Sequence, residues 1–314
     1  MLKKFLILLT LIFGLGSIAQ PASAFNAEDF SISLFPSYQT LELSPGMQRE
    51  GTITIVNTGK MPFDFIVAAS PYQVQGEEYD ADFTTINNYT ALAGWIAFDQ
   101  ESYHAEAGES VEVKFSINVP EDAVGGGQYA AIMAYTEDGA NPDASIKVAS
   151  QVAALLYGRV SGQDMRPEGE IAEQDIPFVV FDSNPLEASI VAYNTGNVDF
   201  MIYHTFTVTD MLSGEEIINP ETTDNKGNKL GASSAIVLPG TSRRDTLVWE
   251  TTPKIGLYKI KQATTFLDQT IESEQVVIFC PMWLVFAILG LILLLILWII
   301  LAVRHHHRKQ PQVF

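Results

Sequence analysis

Few residues in this chain have the types and spacing that catalysis needs. Leaving aside the tail, the histidines are His104 and His204, and neither has a cysteine or a second histidine four positions away. A zinc site of the H-E-x-x-H kind is therefore absent, and both read as surface or strand-face residues. No G-x-S-x-G elbow occurs. Ser110 and Ser242 each open an alternating run just after a glycine-containing turn, where small hydroxyl residues recur for turn reasons alone. Gly125-Gly126-Gly127 lacks the following lysine and helix of a phosphate loop. It reads as a turn or bulge where backbones approach closely, with a binding-face loop as the other reading. The acidic run Glu77-Glu78-Tyr79-Asp80-Ala81-Asp82 lacks EF-hand spacing and reads as a solvated loop. Asp224-Asn225-Lys226-Gly227-Asn228 puts a lysine where a calcium loop needs an oxygen, and reads as a hairpin turn. No catalytic residue, metal site or cofactor is expected.

The elements that would carry these residues are strands. Thr52 to Val56 alternates and ends in Asn57-Thr58-Gly59. Val111, Val113, Phe115, Ile117 and Val119 alternate up to Pro120. Asp82 to Ala93 fits a short helix or a loop. An internal repeat organises the strands. Asn57-Thr58-Gly59 followed by Phe63 returns as Asn194-Thr195-Gly196 followed by Phe200. Gly108-Glu109-Ser110 returns as Gly240-Thr241-Ser242, and Gly127-Gln128-Tyr129 as Gly256-Leu257-Tyr258. The offsets are 137, 132 and 129 residues. Each copy holds about seven or eight short strands, the content of an antiparallel sandwich. The fold class expected is all-β: two immunoglobulin-like antiparallel β-sandwiches in tandem, over 25–165 and 166–278, plus one C-terminal transmembrane helix. Val113, Phe115 and Val248 are expected to point into the cores, with Tyr129 and Tyr258 on equivalent strands.

The two ends set a topology. Lys3 and Lys4 precede an apolar run from Phe5 to Ile18 and the small residues Ala22-Ser23-Ala24. This is a signal peptide over 1–24, with cleavage between Ala24 and Phe25. Residues 279–303 carry no charge and suffice to span a bilayer. Arg304, Arg308 and Lys309 follow, and hold the 304–314 tail on the cytoplasmic side. His305-His306-His307 reads as part of that stop-transfer cluster, with metal binding as the other reading. Trp283 and Trp298 sit near the two ends of the span. The expectation is a single-pass plasma-membrane protein of a bacterial cell surface, with its ectodomain outside. That ectodomain holds all 37 acidic residues against 13 basic ones, a net charge of −24 that repels nucleic acid. The lone cysteine, Cys280, excludes an intrachain disulfide.

The order of parts and three stretches resemble the WxL-interacting proteins of Gram-positive surfaces. Phe30 to Gly46 is similar to that family's opening strand, proline bend and Ser-Pro-Gly. Thr52 to Phe65 resembles its Asn-Thr turn between strands. Ala107 to Ala134 resembles its later strands and glycine turn. The resemblance implies a first sandwich that binds peptidoglycan or another wall glycan, and a second that holds a surface protein, such as one of the WxL type, or a host ligand. Tyr72, Tyr79, Tyr89, Trp95 and Tyr103 are the candidates to stack on sugar rings from loops or exposed faces. The expected function is a membrane-anchored binding or scaffold protein rather than an enzyme. The alternative is an assembly factor acting by strand addition, which a long unpaired edge strand would favour.

Overall fold

The structure is a computed structural model that describes residues 31–136, 150–221, 223, 231–250 and 252–308. The signal sequence with its Ala24–Phe25 cleavage point, the expected turn at Asp224–Asn228 and Lys309 lie outside the described residues.

Alternation of apolar and polar residues makes strands that bury one face each, and two sheets must then meet face to face. The first half does this with β1 (Ile32–Phe35), β2 (Tyr38–Leu43), β3 (Gln48–Asn57), β4 (Phe63–Pro71), β5 (Gln73–Gln75), β6 (Asp80–Asp82), β7 (Ile96–Phe98), β8 (Ser102–Ala105), β9 (Ser110–Asn118), β10 (Gly126–Thr136) and β11 (Gln151–Val160). The sheet β1-β3-β9-β7 faces the sheet β2-β11-β10-β4-β8, and β5 and β6 form a separate hairpin. The ambiguous segment 82–93 is a loop leading into a 3-10 turn at Ala91–Trp95. Ile53, Ile55, Phe65, Val113, Phe115, Ile132 and Leu156 fill the core between the sheets.

The second half repeats the plan with β12 (Gly169–Asp175), β13 (Val179–Phe181), β14 (Leu186–Asn194), β15 (Phe200–Asp210), β16 (Glu216–Ile218), β17 (Ala232–Val237), β18 (Ser242–Trp249), β19 (Gly256–Phe266) and β20 (Gln269–Cys280). The sheet β12-β14-β18 faces β13-β20-β19-β15-β16, with β17 also on β15. Strand by strand, β12, β13, β14, β15, β17, β18, β19 and β20 stand where β1, β2, β3, β4, β8, β9, β10 and β11 stand in the first half. In both halves the opening strand leaves one sheet and joins the other, pairing parallel to the last strand. The fold is two immunoglobulin-like antiparallel sandwiches in tandem, followed by helix α1 (Met282–Arg308).

The repeated asparagine has a physical reason. Asn57 is fully buried; its Nδ2 donates to the carbonyls of Met61 (2.8 Å) and Ala105 (3.1 Å), and its Oδ1 accepts from Gly59 N (3.0 Å). Asn194 does the same with Val198 (2.9 Å), Val237 (2.9 Å) and Gly196 N (2.9 Å). The backbone carbonyls of the two asparagines accept from Gly108 N and Gly240 N, each at 3.0 Å. One amide side chain thus ties the turn between two strands to the end of a third, a task that needs two donors and one acceptor on a short stem.

Two expectations are corrected, and one gains a detail. Val248 is 41% exposed, while Leu247 and Trp249 are buried. The register pairs Leu247 with Ala188 and Trp249 with Leu186, which leaves Val248 beside Glu187 on the outer face. Tyr129 and Tyr258 do lie on equivalent strands, but on opposite faces. Val67 pairs with Ala134 as His204 pairs with Thr264, an offset that sets Tyr258 level with Gln128. A one-residue difference turns a side chain to the other side of a sheet. Finally, Phe279 and Cys280 belong to β20, not to the span. Phe279 pairs with Gly256 and is buried against Trp249 and Tyr258.

Replacing Asn194 or Asn57 by alanine orphans two carbonyls and an N–H in a buried turn. Urea denaturation should show a loss of about 2–4 kcal/mol for either variant.

Candidate functional site

Among the described residues, the outer edge of β20, like the outer edges of β12 and β18 in the facing sheet, has no strand partner over most of its length. In the first sandwich β2 covers β11 over Leu155–Val160. In the second, β13 is three residues long and covers Ile278–Cys280 alone. Among the described residues no strand pairs with the outer side of Gln269–Val277, whose inner side pairs with β19 throughout. Such an edge presents a row of free N–H and C=O groups, a template for another strand. Its outward face carries Glu272 and Glu274, which pair with Lys261 (2.8 Å) and Lys259 (3.6 Å).

Behind this edge the interior is polar. The second sandwich has two apolar clusters, one around Trp249, Tyr258 and Phe279 and one around Phe200, Ile202 and Phe266. Between them lie His204, Gln262 and Thr264, each fully buried. His204 stands opposite Thr264, and Gln262 opposite Ser273 of β20. His204 Nδ1 meets Asp245 Oδ2 at 2.9 Å, and Ser233 donates to the same oxygen. Burial works to raise the Asp245 carboxyl, but the bonds from His204 and Ser233 hold it below its ordinary value. His204 Nε2, Thr264 Oγ1, both polar atoms of the Gln262 amide, and Nε2 of Gln174 on the facing edge strand β12 are buried without a protein partner. Buried polar atoms are nearly always paired, so this row stands out. At the positions of His204 and Thr264 the first sandwich carries Val67 and Ala134.

The residues singled out for wall contact are elsewhere, and none stands free on a surface. Tyr72 is 5% exposed and Tyr79 and Tyr89 are half-buried; all three pack with Tyr129, Tyr157 and Leu238 where the two sandwiches meet. Tyr79 Oη accepts from Leu238 N (2.6 Å) and bonds to Thr241 Oγ1 (2.8 Å), with the Arg243 guanidinium 4.3 Å from its ring centre. Burial pushes the hydroxyls of Tyr72, Tyr79 and Tyr157 above their ordinary value, so they remain protonated donors. Trp95 and Tyr103 pack against the first core, Tyr103 stacked on Phe65 at 5.4 Å.

The other residues of chemical interest are structural. Glu77 of the acidic run grips Arg244 (2.6 and 2.9 Å). Asp82 accepts from Gln73, Gln75, Thr84 and Thr85, bonds that hold its carboxyl below the usual range. His104 is exposed beside Asp64 and Glu106, which raise its pKa. His204 is the exception, a strand residue turned fully inward. Ser110 and Ser242 open β9 and β18. The Gly125–Gly127 run is a close approach: a Cβ on Gly125 would come within 2.9 Å of Gly162 Cα, and one on Gly126 within 2.8 Å of Asn197 O. No group of three or more metal-ligating side chains occurs among the described residues.

No protein-family model matches the chain, and no curated protein does. Solved structures similar in outline include the class 5 fimbriae chaperone CfaA, at 12% identity over 80% of this chain and 100% of that one, with a TM-score of 0.35. The CsuC–CsuE chaperone–tip adhesion subunit pre-assembly complex of Acinetobacter baumannii matches at 12% over 78% and 98%, with 0.36. PapD-like domain 7 of human CEP192 matches at 14% over 47% and 95%, with 0.31. Likenesses this distant assign no role to any residue here.

Sequence reasoning missed the open edge and the polar interior. The signal was present: His204, Gln262 and Thr264 fall at the inward positions of otherwise apolar strands. A prediction follows from Asp245. Its folded pKa lies below the unfolded value of 3.8, so its stabilising effect is present above that value and lost as pH falls through the folded pKa. Asp245→Asn should be less stable than the native chain at pH 7. It should also lose less stability between pH 5 and the acid limit, as read by urea midpoints across pH.

Proposed function

We propose that this protein is a membrane-anchored, non-enzymatic holding or assembly protein. Its second sandwich takes up an extended segment of a partner protein along the free edge of β20. The observation that carries the reading is the uncovered stretch Gln269–Val277, of which Glu274–Val277 stand where β2 covers the last strand of the first sandwich. Main-chain hydrogen bonds would supply affinity, and alternate side chains of the incoming segment would enter the seam between β20 and β12. Gln262 on β19, next to β20, and Gln174 on β12 have buried amide atoms without partners, so the segment best suited brings a hydrogen-bonding side chain. Helix α1 fits the anchor: Met282–Arg304 is long and apolar enough to cross a membrane, and its side chains are exposed. The orientation with the sandwiches outside rests on the signal-like N-terminus and the basic residues after the span.

Contact with wall glycan has less support, because the aromatics proposed for it are packed in the joint or against the first core. The test uses the full-length chain in whole cells, with a photo-activatable phenylalanine at Glu272 and a control at Lys114 on β9. Cross-linking from Glu272 should attach a protein. A synthetic peptide of the attached segment should then slow amide exchange within Gln269–Val277 by at least about tenfold, the worth of one added hydrogen bond. Equal cross-linking from Lys114, or protection confined to other strands, overturns the reading.

A further inference from the structure

The end of the second sandwich that bears α1 has an unusual surface. Strand β20 leads into α1 with Pro281 alone between them. The junction is stiff: Cys280 pairs with Phe181, Asp182 Oδ1 accepts from Met282 N at 2.8 Å, and Leu284 N donates to Pro281 O at 3.0 Å. Topology brings three more segments to this end: the start of β19, the turn after β15, and the crossing into β13. Each carries exposed apolar side chains. Leu212 is 84% exposed, Ile255 61%, Phe178 60% and Met211 50%. Met211 and Leu257 are joined through the bond from Met211 N to Leu257 O (3.0 Å). Two carboxylates at this end are turned back on the backbone, while Glu215 and Glu250 are exposed. Asp182 caps the helix, and Asp210 accepts from Leu212 N and Ser213 N, which hold its pKa down. Lys254 stands beside Ile255.

We infer that this end of the second sandwich is embedded in the lipid leaflet that α1 enters first, with Leu212 and Ile255 as its deepest points. The occupant of this apolar surface is the bilayer, because the chain itself fixes where the bilayer must be. Trp283, 64% exposed on the first turn of α1, marks the boundary of the hydrocarbon. The headgroup layer above it is about 5–7 Å thick. With no linker, the loops beside Pro281 fall within that layer, where exposed apolar tips are stable and a cation such as Lys254 meets phosphate. The first sandwich, at the other end, is thereby held off the membrane, and the β20 edge stands upright from it. The inference rests on α1 spanning the bilayer, and the test separates the two.

The test uses the full-length chain with Cys280→Ser, reconstituted in phosphatidylcholine vesicles. An environment-sensitive fluorophore is attached at Leu212→Cys, Ile255→Cys, Leu293→Cys within the span, or Glu121→Cys on the first sandwich. Labels at 212 and 255 should shift to the blue relative to 121 and be quenched by shallow nitroxide lipids. The label at 293 should be quenched best by deep ones. A quenched 293 with 212 and 255 indistinguishable from 121 overturns the inference and leaves the span intact. An unquenched 293 overturns the span and the inference with it.

Discussion

The arrangement depends on one buried carboxylate. Asp199 sits in the turn between β14 and β15 and is 4% exposed, a position where an unpaired charge is costly. All of its side-chain partners come from the first sandwich. Arg159 on β11 reaches it at 2.6 Å, and the Tyr129 hydroxyl on β10 donates to it at 3.0 Å. The same hydroxyl accepts from Asp199 N at 2.9 Å. Burial, with the Asp199 charge adding to it, raises the Tyr129 pKa well above its ordinary value, which keeps the proton where the carboxylate needs it. The glycine run lets the backbones come close enough. Gly127 N donates to Asn197 O at 2.7 Å, and Asn197 Nδ2 reaches Gly125 O at 3.2 Å. The turn that is merely a staple in the first sandwich is, in the second, also the plug that docks on its neighbour.

From that joint the asymmetry of the two copies makes sense. The aromatic surface around Tyr72, Tyr129 and Tyr157 is spent on holding the second sandwich, with Arg244 and Glu77 fastening its rim. The second sandwich then diverges where the first is conventional. It shortens the strand that should cover its last strand, and it replaces apolar core residues with His204 and Thr264. The first change lies at the β20 edge, and the second lies on β15 and β19 within the same sheet. Polar groups without partners in a core cost stability, so the layer of His204, Gln262 and Thr264 weakens this core relative to that of the first sandwich.

Much of the fold was legible in the sequence because it rests on local rules. Alternation gave the strands, and the recurrence of Asn-Thr-Gly with its glycine turn gave the repeat, since both asparagines are fixed by the same four hydrogen bonds. What was not legible concerned which neighbour a face meets. Alternation identifies two faces but cannot say that Tyr129 turns toward a second sandwich while Tyr258 turns into a core. It likewise favoured Val248 over Leu247 and Trp249. The aromatics at 72, 79 and 89 look like surface binders in a sandwich considered alone, and become joint residues only when its partner is docked. Phe279 was read into the span because an inward strand residue and a membrane helix share the same apolar chemistry. The candidate site, an absence of pairing along β20, depends on the length of β13 and left no motif.

The buried Asp199 makes the two sandwiches one cooperative body. Scanning calorimetry of the full-length chain in detergent micelles tests it most directly. The native chain should unfold in a single transition whose calorimetric and van't Hoff enthalpies agree, and Asp199→Ala should split it into two. Two separate transitions in the native chain, or an Asp199→Ala profile that matches the native one, would contradict the account.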